Sequence, residues 1–244
     1  MSQRVAIVSG ASHGIGREVA FLLAERGFCV RSISMGVQDI ERTHSEARDR
    51  KLDVRVFDGD VSSSRDVEAF AAQVGNAGPV KAIVNNAAIR PTGTVLTTDE
   101  EAWDEAFAVN VKGTFLVTKA FLPSMIASGG GAIVNISSCS AMGSGNLVAY
   151  SSTKCAMLAF SRCTAEDFKK DRVRVNAVLP GPIDSGMMRP IPPDIVEWCR
   201  QGGVQGRLGS PRDVANAVAF LVSDEAETIT GTELRVNFWP ALFA

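Results

Sequence analysis

The sequence predicts an α/β fold in a single domain, built as a doubly wound parallel sheet of about seven strands with helices on both faces. Short apolar runs of strand length alternate along the chain with longer segments of helical periodicity. The short runs lack polar alternation, which is typical of strands that are covered on both faces. With 244 residues, of which 45% are hydrophobic, the chain is long enough to bury such a core.

The predicted strands cover residues 5–8, 29–33, 54–57, 82–84, 132–136, 173–179 and 234–236. Helical patterns cover residues 15–26, 64–73, 99–128 with a break, 149–170 and 210–223. Ser210-Pro211 is typical of a helix start, because serine caps the free amides and proline fits the first helical position. The segment 183–207 fits neither period, so we expect a long loop that serves as a substrate lid.

Composition and charge exclude several classes of protein. The net charge is −2 and the 25 basic residues are scattered, so no basic surface for nucleic acid is expected. No apolar run approaches the roughly 18 residues of a membrane span, and no leader pattern precedes the first strand. We therefore expect a soluble, cytoplasmic protein that does not bind a membrane.

The cysteines and histidines do not form a metal-binding pattern. Five cysteines occur without a Cys-x-x-Cys spacing, and the two histidines are far apart in sequence. Neither a metal site nor a disulfide framework is expected. Cys139 is the thiol of most interest because it follows a candidate catalytic serine, but a small buried thiol is the favoured interpretation.

A glycine-rich turn joins the first predicted strand to the first helix. Glycines allow the backbone to turn sharply and approach a ligand, and the free amides of a helix N-terminus favour a pyrophosphate. The alternative is an ordinary tight strand-to-helix connection. The residues that this pattern assigns to a dinucleotide are Gly10, Ser12, His13, Gly14, Ile15 and Gly16.

Tyr150 is the only tyrosine in the chain, and Lys154 follows it at a spacing of one helical turn. Side chains at positions i and i+4 share a helix face, so the ammonium can stabilise the ionised phenol. A unit charge at about 5 Å with an effective dielectric of about 20 contributes roughly 3 kcal/mol, or about two pK units. We therefore expect Lys154 to lower the pKa of Tyr150 and make the phenol an acid/base catalyst, although the spacing alone can arise by coincidence.

Several motifs in one order resemble the short-chain dehydrogenase/reductase family, and this resemblance covers about residues 4–236. They are the glycine turn, Asn85-Asn86-Ala87-Ala88, Asn110, Ile136-Ser137-Ser138, Tyr150-x-x-x-Lys154 and Pro180-Gly181-Pro182-Ile183. The resemblance implies a Rossmann-like fold and a nicotinamide-dependent oxidoreductase. Ser9 and Ala88 are mild departures from the family pattern. A more serious departure is that the closing strand usually runs into an Asp-Gly-Gly turn, whereas here it reads Val236-Asn237-Phe238-Trp239-Pro240. The apolar tail 238–244 is expected to pack as core, or to lie at a subunit contact or the substrate mouth.

The resemblance also implies roles for individual residues. Lys154 lowers the phenol's pKa and holds the nicotinamide ribose, and Ser138 hydrogen-bonds the substrate oxygen, with Ser137 as the alternative. Asn110 supports a proton-carrying water chain, or links a helix kink by hydrogen bonds, and both readings can hold together. The remaining cofactor contacts implied are Asp60, Val61, Asn86, Ala87, Ala88, Tyr150, Lys154, Pro180, Gly181, Ile183 and Ser185. The implied substrate contacts are Ser138, Tyr150, Met187 and Trp198.

The end of the second strand bears on cofactor choice. An acidic side chain there would bind the adenosine ribose and repel a 2′-phosphate, but the position is Ser34, followed by Met35. Ser34, His13 and Arg31 are candidates for holding a 2′-phosphate, so NADP(H) is favoured. Asp39 could reach the ribose, which keeps NAD(H) as the alternative.

The sequence thus predicts an enzyme that transfers hydride between a nicotinamide cofactor and a secondary alcohol or ketone, with 3-oxoacyl reduction as one case. A small-molecule carbonyl or alcohol is the expected partner, and the resemblance implies a homo-oligomer, a tetramer or a dimer. One alternative is a dinucleotide-binding sensor or scaffold without turnover. An enzyme that epimerises or dehydrates nucleotide sugars is disfavoured, because such relatives carry a larger C-terminal region.

Overall fold

The computed structural model describes residues 4–75, 77–188 and 191–237, and the tail 238–244 lies outside them. Within this range seven strands form one parallel sheet in the order β3-β2-β1-β4-β5-β6-β7. All seven predicted strands are confirmed, each within two residues at either end. They are β1 (Val5–Ser9), β2 (Cys29–Ser34), β3 (Val54–Asp58), β4 (Val80–Asn85), β5 (Gly131–Ile136), β6 (Val173–Pro180) and β7 (Glu233–Val236).

Helices surround the sheet, and the described residues contain α1 (Gly14–Glu25), α2 (Val37–Asp49), α3 (Ser64–Val74), α4 (Glu100–Phe107), α5 (Gly113–Ala127), α6 (Val148–Asp167), α7 (Pro193–Gly202) and α8 (Pro211–Val222). The predicted helices are present, and the expected break in the 99–128 segment is a π-helical turn, Ala108–Lys112. The N-terminus of α8 has the predicted cap, in which Ser210 and Asp213 form a reciprocal capping box ahead of Pro211.

The sequence analysis missed two helices. The first is α2, which buries only Ile40, Thr43 and Ala47 and is otherwise mostly polar or charged, so few apolar residues mark it in the sequence. The second is α7, which corrects the expectation of an irregular loop over 183–207. Proline in its first turn pre-sets the helical φ angle, and Asp194 complements the helix dipole there.

Strand residues alternate between two apolar cores, one on each face of the sheet. Ala6 and Val8 of β1 face the core that includes residues of α1, α2 and α8. Val5 and Ile7 face the core that includes α3, α5 and α6, where Phe70 packs edge-on against Phe121 with ring centroids 5.3 Å apart. Both faces of β1 are therefore covered, which explains its uninterrupted apolar sequence.

The strand order reverses direction between β1 and β4, which are direct neighbours in the sheet. From β1 the chain moves to one edge through β2 and β3, and from β4 it moves to the other edge. The loops that follow β1 and β4 therefore diverge and leave a crevice at the carboxyl ends of these strands. None of the helices in the described part of the chain is long and apolar enough to cross a membrane.

Candidate active site

A cleft of about 250 Å³ opens at this crevice. Predicted cofactor residues that line it are Gly10, Ser12, His13, Gly14, Ile15, Gly16, Ser34, Asp60, Val61, Asn86, Ala87, Ala88 and Ser185. Met187, predicted as a substrate contact, also lines it. Sequence reasoning did not assign Met35, Gly59, Ile89, Val109 and Gly186 to the site, although each flanks an assigned residue.

The glycine turn is shaped by close approach of the backbone to its neighbours. A Cβ at Gly16 would lie 2.1 Å from the carbonyl oxygen of Gly10, and Gly10 itself has a φ of 72°. Gly14 also has positive φ, at 57°, but a Cβ there would meet nothing within 4 Å. Packing thus requires glycine at positions 10 and 16, whereas Gly14 leaves open space above the turn for a ligand.

The N-terminus of α1 faces this space with its amides free. His13 precedes the helix and makes no side-chain capping bond, and the first turn carries no acidic residue. The unpaired N–H groups and the positive end of the helix dipole therefore fit an anionic group such as a pyrophosphate. His13 is exposed at the same rim.

Asn86 fastens the glycine turn to the loop after β4. Its side-chain amide donates to the carbonyl oxygens of Ser9 and Gly10 at 3.1 and 2.9 Å. In return the Ser9 hydroxyl accepts from the backbone amides of Asn86 and Ala87. Two loops from neighbouring strands thus form one rigid wall of the cleft.

The cleft end beside β2 and β3 carries hydroxyl groups and one carboxylate. Ser34 is buried and donates to the Ser12 hydroxyl at 2.8 Å. Asp60 accepts from the backbone amide and hydroxyl of Ser62 at 2.8 and 2.7 Å. Arg31, considered for a 2′-phosphate, instead pairs with Asp53 at 2.8 Å and does not line the cleft.

Five of the implied cofactor residues lie outside the cleft lining: Tyr150, Lys154, Pro180, Gly181 and Ile183. Pro180 ends β6, and a Cβ at Gly181 would lie 2.0 Å from the carbonyl oxygen of Asn237. Ile183 is buried in the core and pairs with Gly209. Asn237 adopts a left-handed conformation with a φ of 53° and donates to the Pro182 carbonyl at 2.9 Å.

Tyr150 lies in the first turn of α6, and its side chain is 6% exposed. Burial raises the pKa of the phenol, while a side-chain hydrogen bond with Ser138 and the charge of Arg90 lower it. Ser138 precedes a short 3₁₀ turn and accepts from the Ser140 amide at 3.1 Å. Ser137, the alternative, donates instead to the backbone carbonyl of Lys154 at 2.8 Å. Of the two serines, Ser138 is therefore the one that lowers the pKa of the phenol.

The sequence analysis expected Lys154 to lower the pKa of Tyr150, and the structure does not show this effect. Its ammonium lies 5.6 Å from the tyrosine ring centroid and donates to the Ile136 carbonyl at 2.8 Å. Complete burial lowers the pKa of Lys154 to about 7, so near neutral pH only about half of the molecules carry the charge. Lys154 is not among the groups that lower the pKa of Tyr150, and burial of the phenol raises that pKa.

Asn110 is fully buried in the π-helical turn between α4 and α5. Its side chain accepts from the Ile89 amide at 2.8 Å and donates to the Ile89 carbonyl at 3.0 Å. It also donates to the Thr153 hydroxyl at 3.0 Å, and Thr153 donates to the carbonyl of Tyr150. Asn110 thus links the loop after β4 to the helix that carries Tyr150, in agreement with the hydrogen-bonding reading.

Trp198 and Cys139, which the sequence analysis singled out, both lie outside the cleft lining. Trp198 lies on α7, is 44% exposed and does not line the cleft, because the helix carries it outward. Cys139 is buried and donates its thiol to the Leu179 carbonyl at 3.4 Å. Burial raises the pKa of this thiol to about 11, so it stays protonated and packs as a small apolar group.

Comparison with known proteins agrees with the geometry. A family model described as "Enoyl-(Acyl carrier protein) reductase" matches residues 10–238. The chain is 33% identical over 235 residues to 3-oxoacyl-(acyl-carrier-protein) reductase FabG of Staphylococcus epidermidis, which covers 95% of this chain and 96% of the relative. It is 36% identical over 244 residues to cis-4-hydroxycyclohexanecarboxylate dehydrogenase of Sinomonas cyclohexanicum, with 97% and 96% covered.

A solved structure is similar over the same extent. It is a point variant of actinorhodin polyketide ketoreductase with NADPH, which superposes with a TM-score of 0.90 at 29% identity and covers 96% of this chain and 95% of its own. The chain therefore belongs to the short-chain dehydrogenase/reductase family, as an oxidoreductase that transfers hydride between a nicotinamide cofactor and an alcohol or ketone.

Proposed function

We propose that this protein reduces a ketone with NADPH, with Tyr150 as proton donor and Ser138, Lys154 and Asn110 as its partners. The observation that carries this proposal is the buried phenol of Tyr150, the pKa of which is raised by burial and lowered by its interaction with Ser138. A carbonyl oxygen that lies between these two hydroxyls can accept a hydrogen bond from each, which stabilises the negative charge that develops there.

The raised pKa of Tyr150 favours reduction over oxidation near neutral pH. The phenol stays protonated in that range and can deliver its proton to the oxygen of a reduced carbonyl group. Oxidation of an alcohol needs the phenolate as a base, and burial opposes its formation. The cofactor supplies the hydride, and the protein supplies the proton.

We assign cofactor binding to the cleft. The turn at Gly10, Gly14 and Gly16 and the α1 N-terminus would hold the pyrophosphate, and Asp60 and Val61 would contact the adenine end. The roles of Pro180, Gly181 and Ile183 are then indirect, since they support the strand end and do not line the cleft. Lys154 would hold the nicotinamide ribose after its side chain leaves the Ile136 carbonyl.

The preference for NADPH is supported by the end of β2. Ser34 offers a hydroxyl and no carboxylate, so nothing at this position repels a 2′-phosphate. Exposed His13 lines the same cleft, and its imidazole N–H can donate a hydrogen bond to a phosphate oxygen. Asp39 is in the first turn of α2 and does not line the cleft, which weakens the case for NAD.

Two substrate classes follow from the relatives: a 3-oxoacyl group on a carrier and a cyclic hydroxy acid. Met187 lines the cleft, and its flexible thioether can adapt to an apolar substrate. We propose that residues 1–244 form one dinucleotide-binding domain, in which residues of about 183–207 serve as a substrate lid. We also propose that the protein acts in the cytoplasm. A dinucleotide sensor without turnover is the competing function, because the same cleft would serve it.

Tyr150→Phe is expected to lower kcat by at least about 10²-fold, because the proton donor is lost while the ring still packs. Cofactor affinity, read from the fluorescence of reduced nicotinamide, should stay within a few fold. Cys155→Ser, an exposed position on the same helix, is the control and should retain activity. A Phe variant that keeps the wild-type rate on an identified ketone would refute Tyr150 as the donor.

Lys154→Met tests the burial of the ammonium. The pKa of Lys154 is about 7 when folded, against about 10.4 when unfolded, so between these values the unfolded chain binds more protons and stability rises with pH. The unfolding free energy of wild type minus that of the variant should increase above pH 7, by up to about 1.4 kcal/mol per pH unit, because only wild type carries the titrating lysine. Urea unfolding of the cofactor-free proteins measures it, and parallel pH curves would contradict the burial.

Ser34→Asp tests cofactor selection. Wild type should bind NADPH more tightly than NADH, and the aspartate should reverse this preference by at least tenfold, because a carboxylate repels the 2′-phosphate. Ser45→Asp adds the same charge at an exposed position on α2 and should leave the ratio unchanged. The two dissociation constants for each protein give the result. Preference for NADH in wild type would overturn the assignment.

Self-association is supported by exposed aromatic side chains on α4 and α5. Trp103 is 37% exposed and Phe115 is 46% exposed, which leaves apolar area for a second copy to cover. Light scattering should give the mass of a dimer or tetramer, and Phe115→Glu should lower it by placing a charge in that contact. A monomeric wild type would end this part of the proposal.

A further inference from the structure

Thr43 is a buried threonine of α2 that neither the sequence analysis nor the proposed mechanism uses. It is 0% exposed, and its hydroxyl donates to the backbone carbonyl of Ser12 at 2.8 Å. Ser12 belongs to the glycine turn and lines the cleft, whereas Thr43 follows 31 residues later and does not line it. The contact therefore joins α2 to the turn that we assign to the phosphates of the cofactor.

Ser12 is held at its side chain as well as at its carbonyl. The Ser34 hydroxyl donates to the Ser12 hydroxyl at 2.8 Å, and the Ser12 hydroxyl donates to the Met35 carbonyl at 3.4 Å. Ser12 is 1% exposed, so water competes little for these hydrogen bonds. Contacts from the end of β2 and from α2 therefore fix Ser12 within the wall of the cleft.

The peptide between Ser12 and His13 turns this contact into a direction for the next amide. The described residues contain no cis peptide bond, and in a trans peptide the carbonyl and the N–H point in opposite directions. Because Thr43 holds the Ser12 carbonyl towards α2, the His13 N–H points away from α2. His13 and Gly14 line the cleft, and the structure shows no acceptor for the His13 amide among the described residues. This amide is therefore free at the N-terminus of α1, where an anion is favoured.

We propose that Thr43 is a positioning residue that directs the His13 amide at a phosphate oxygen of the cofactor. A donor whose direction is set in advance binds more tightly, because binding then orders fewer groups. Without the Thr43 hydroxyl the Ser12 carbonyl would be buried without a donor, and the peptide would be free to turn. The phosphate is either the pyrophosphate, which NADPH and NADH share, or the 2′-phosphate of NADPH alone. This inference rests on the cofactor binding of the proposed function and does not depend on turnover.

Thr43→Val tests this role, because valine keeps the shape of threonine and lacks the hydroxyl. Dissociation constants for NADPH and for NADH are read from the fluorescence of the reduced nicotinamide on titration. Thr43→Val should raise the constant for NADPH about tenfold, since a hydrogen bond to a charged phosphate is weakened. Thr43→Ser keeps the donor and should stay within about twofold of wild type. An equal loss for NADH assigns the amide to the pyrophosphate, and a loss for NADPH alone assigns it to the 2′-phosphate.

Thr164→Val is the matched control. Thr164 is a buried threonine of α6 whose hydroxyl donates to the Phe160 carbonyl at 2.7 Å, and it does not line the cleft. The control should leave both dissociation constants unchanged. A general loss of folded protein lowers the amplitude of the fluorescence change and does not move the dissociation constant. In turnover, Thr43→Val should raise the KM for NADPH and leave kcat within about twofold of wild type.

Three results would overturn this inference alone. They are unchanged dissociation constants in Thr43→Val, a loss that Thr43→Ser shares in full, and a loss confined to NADH. Failure of the wild-type protein to bind either cofactor would overturn the proposed function and this inference with it.

Discussion

The common direction of the seven strands is the constraint on which the site depends. In a parallel sheet every strand ends at the same edge, so the residues that follow β1, β3, β4 and β5 meet there although they are far apart in sequence. The reversal of strand order between β1 and β4 separates the loops and opens the cleft. The amide of Asn86 then fixes the two loops to each other, which gives the glycine turn a rigid floor.

Burial decides the electrostatics of the reacting end. Complete removal of Lys154 from water lowers its pKa to about 7, which weakens the cation that was expected to ionise Tyr150. The phenol is itself desolvated, and its pKa is raised despite Ser138 and Arg90. In the described structure, therefore, solvent exclusion prevails over the charge at the i+4 position. The same exclusion strengthens any hydrogen bond or charge that a bound substrate meets in the cleft.

Asn110 illustrates how one buried side chain connects the cleft to the helix that carries Tyr150. Asn110 uses its side-chain amide to join Ile89 to Thr153, so the loop after β4 and the helix with Tyr150 form one unit. Ile89 lines the cleft, and Thr153 donates to the carbonyl of Tyr150. The contacts of Asn110 therefore join one wall of the cleft to the start of α6.

The strands, most of the helices, the family and most residues of the cleft were predicted from the sequence alone. These features depend on local periodicity and on short motifs whose order and spacing can be read along the chain. The sequence did not reveal α2 or α7, which bury few side chains: Ile40, Thr43 and Ala47 in α2, and Cys199 in α7. Only the tertiary structure decided that Trp198 lies outside the cleft, that Ile183 packs in the core, and that burial raises the pKa of Tyr150. The physical reason is that pKa values and side-chain neighbours depend on burial and on contacts between distant segments, which no local pattern encodes.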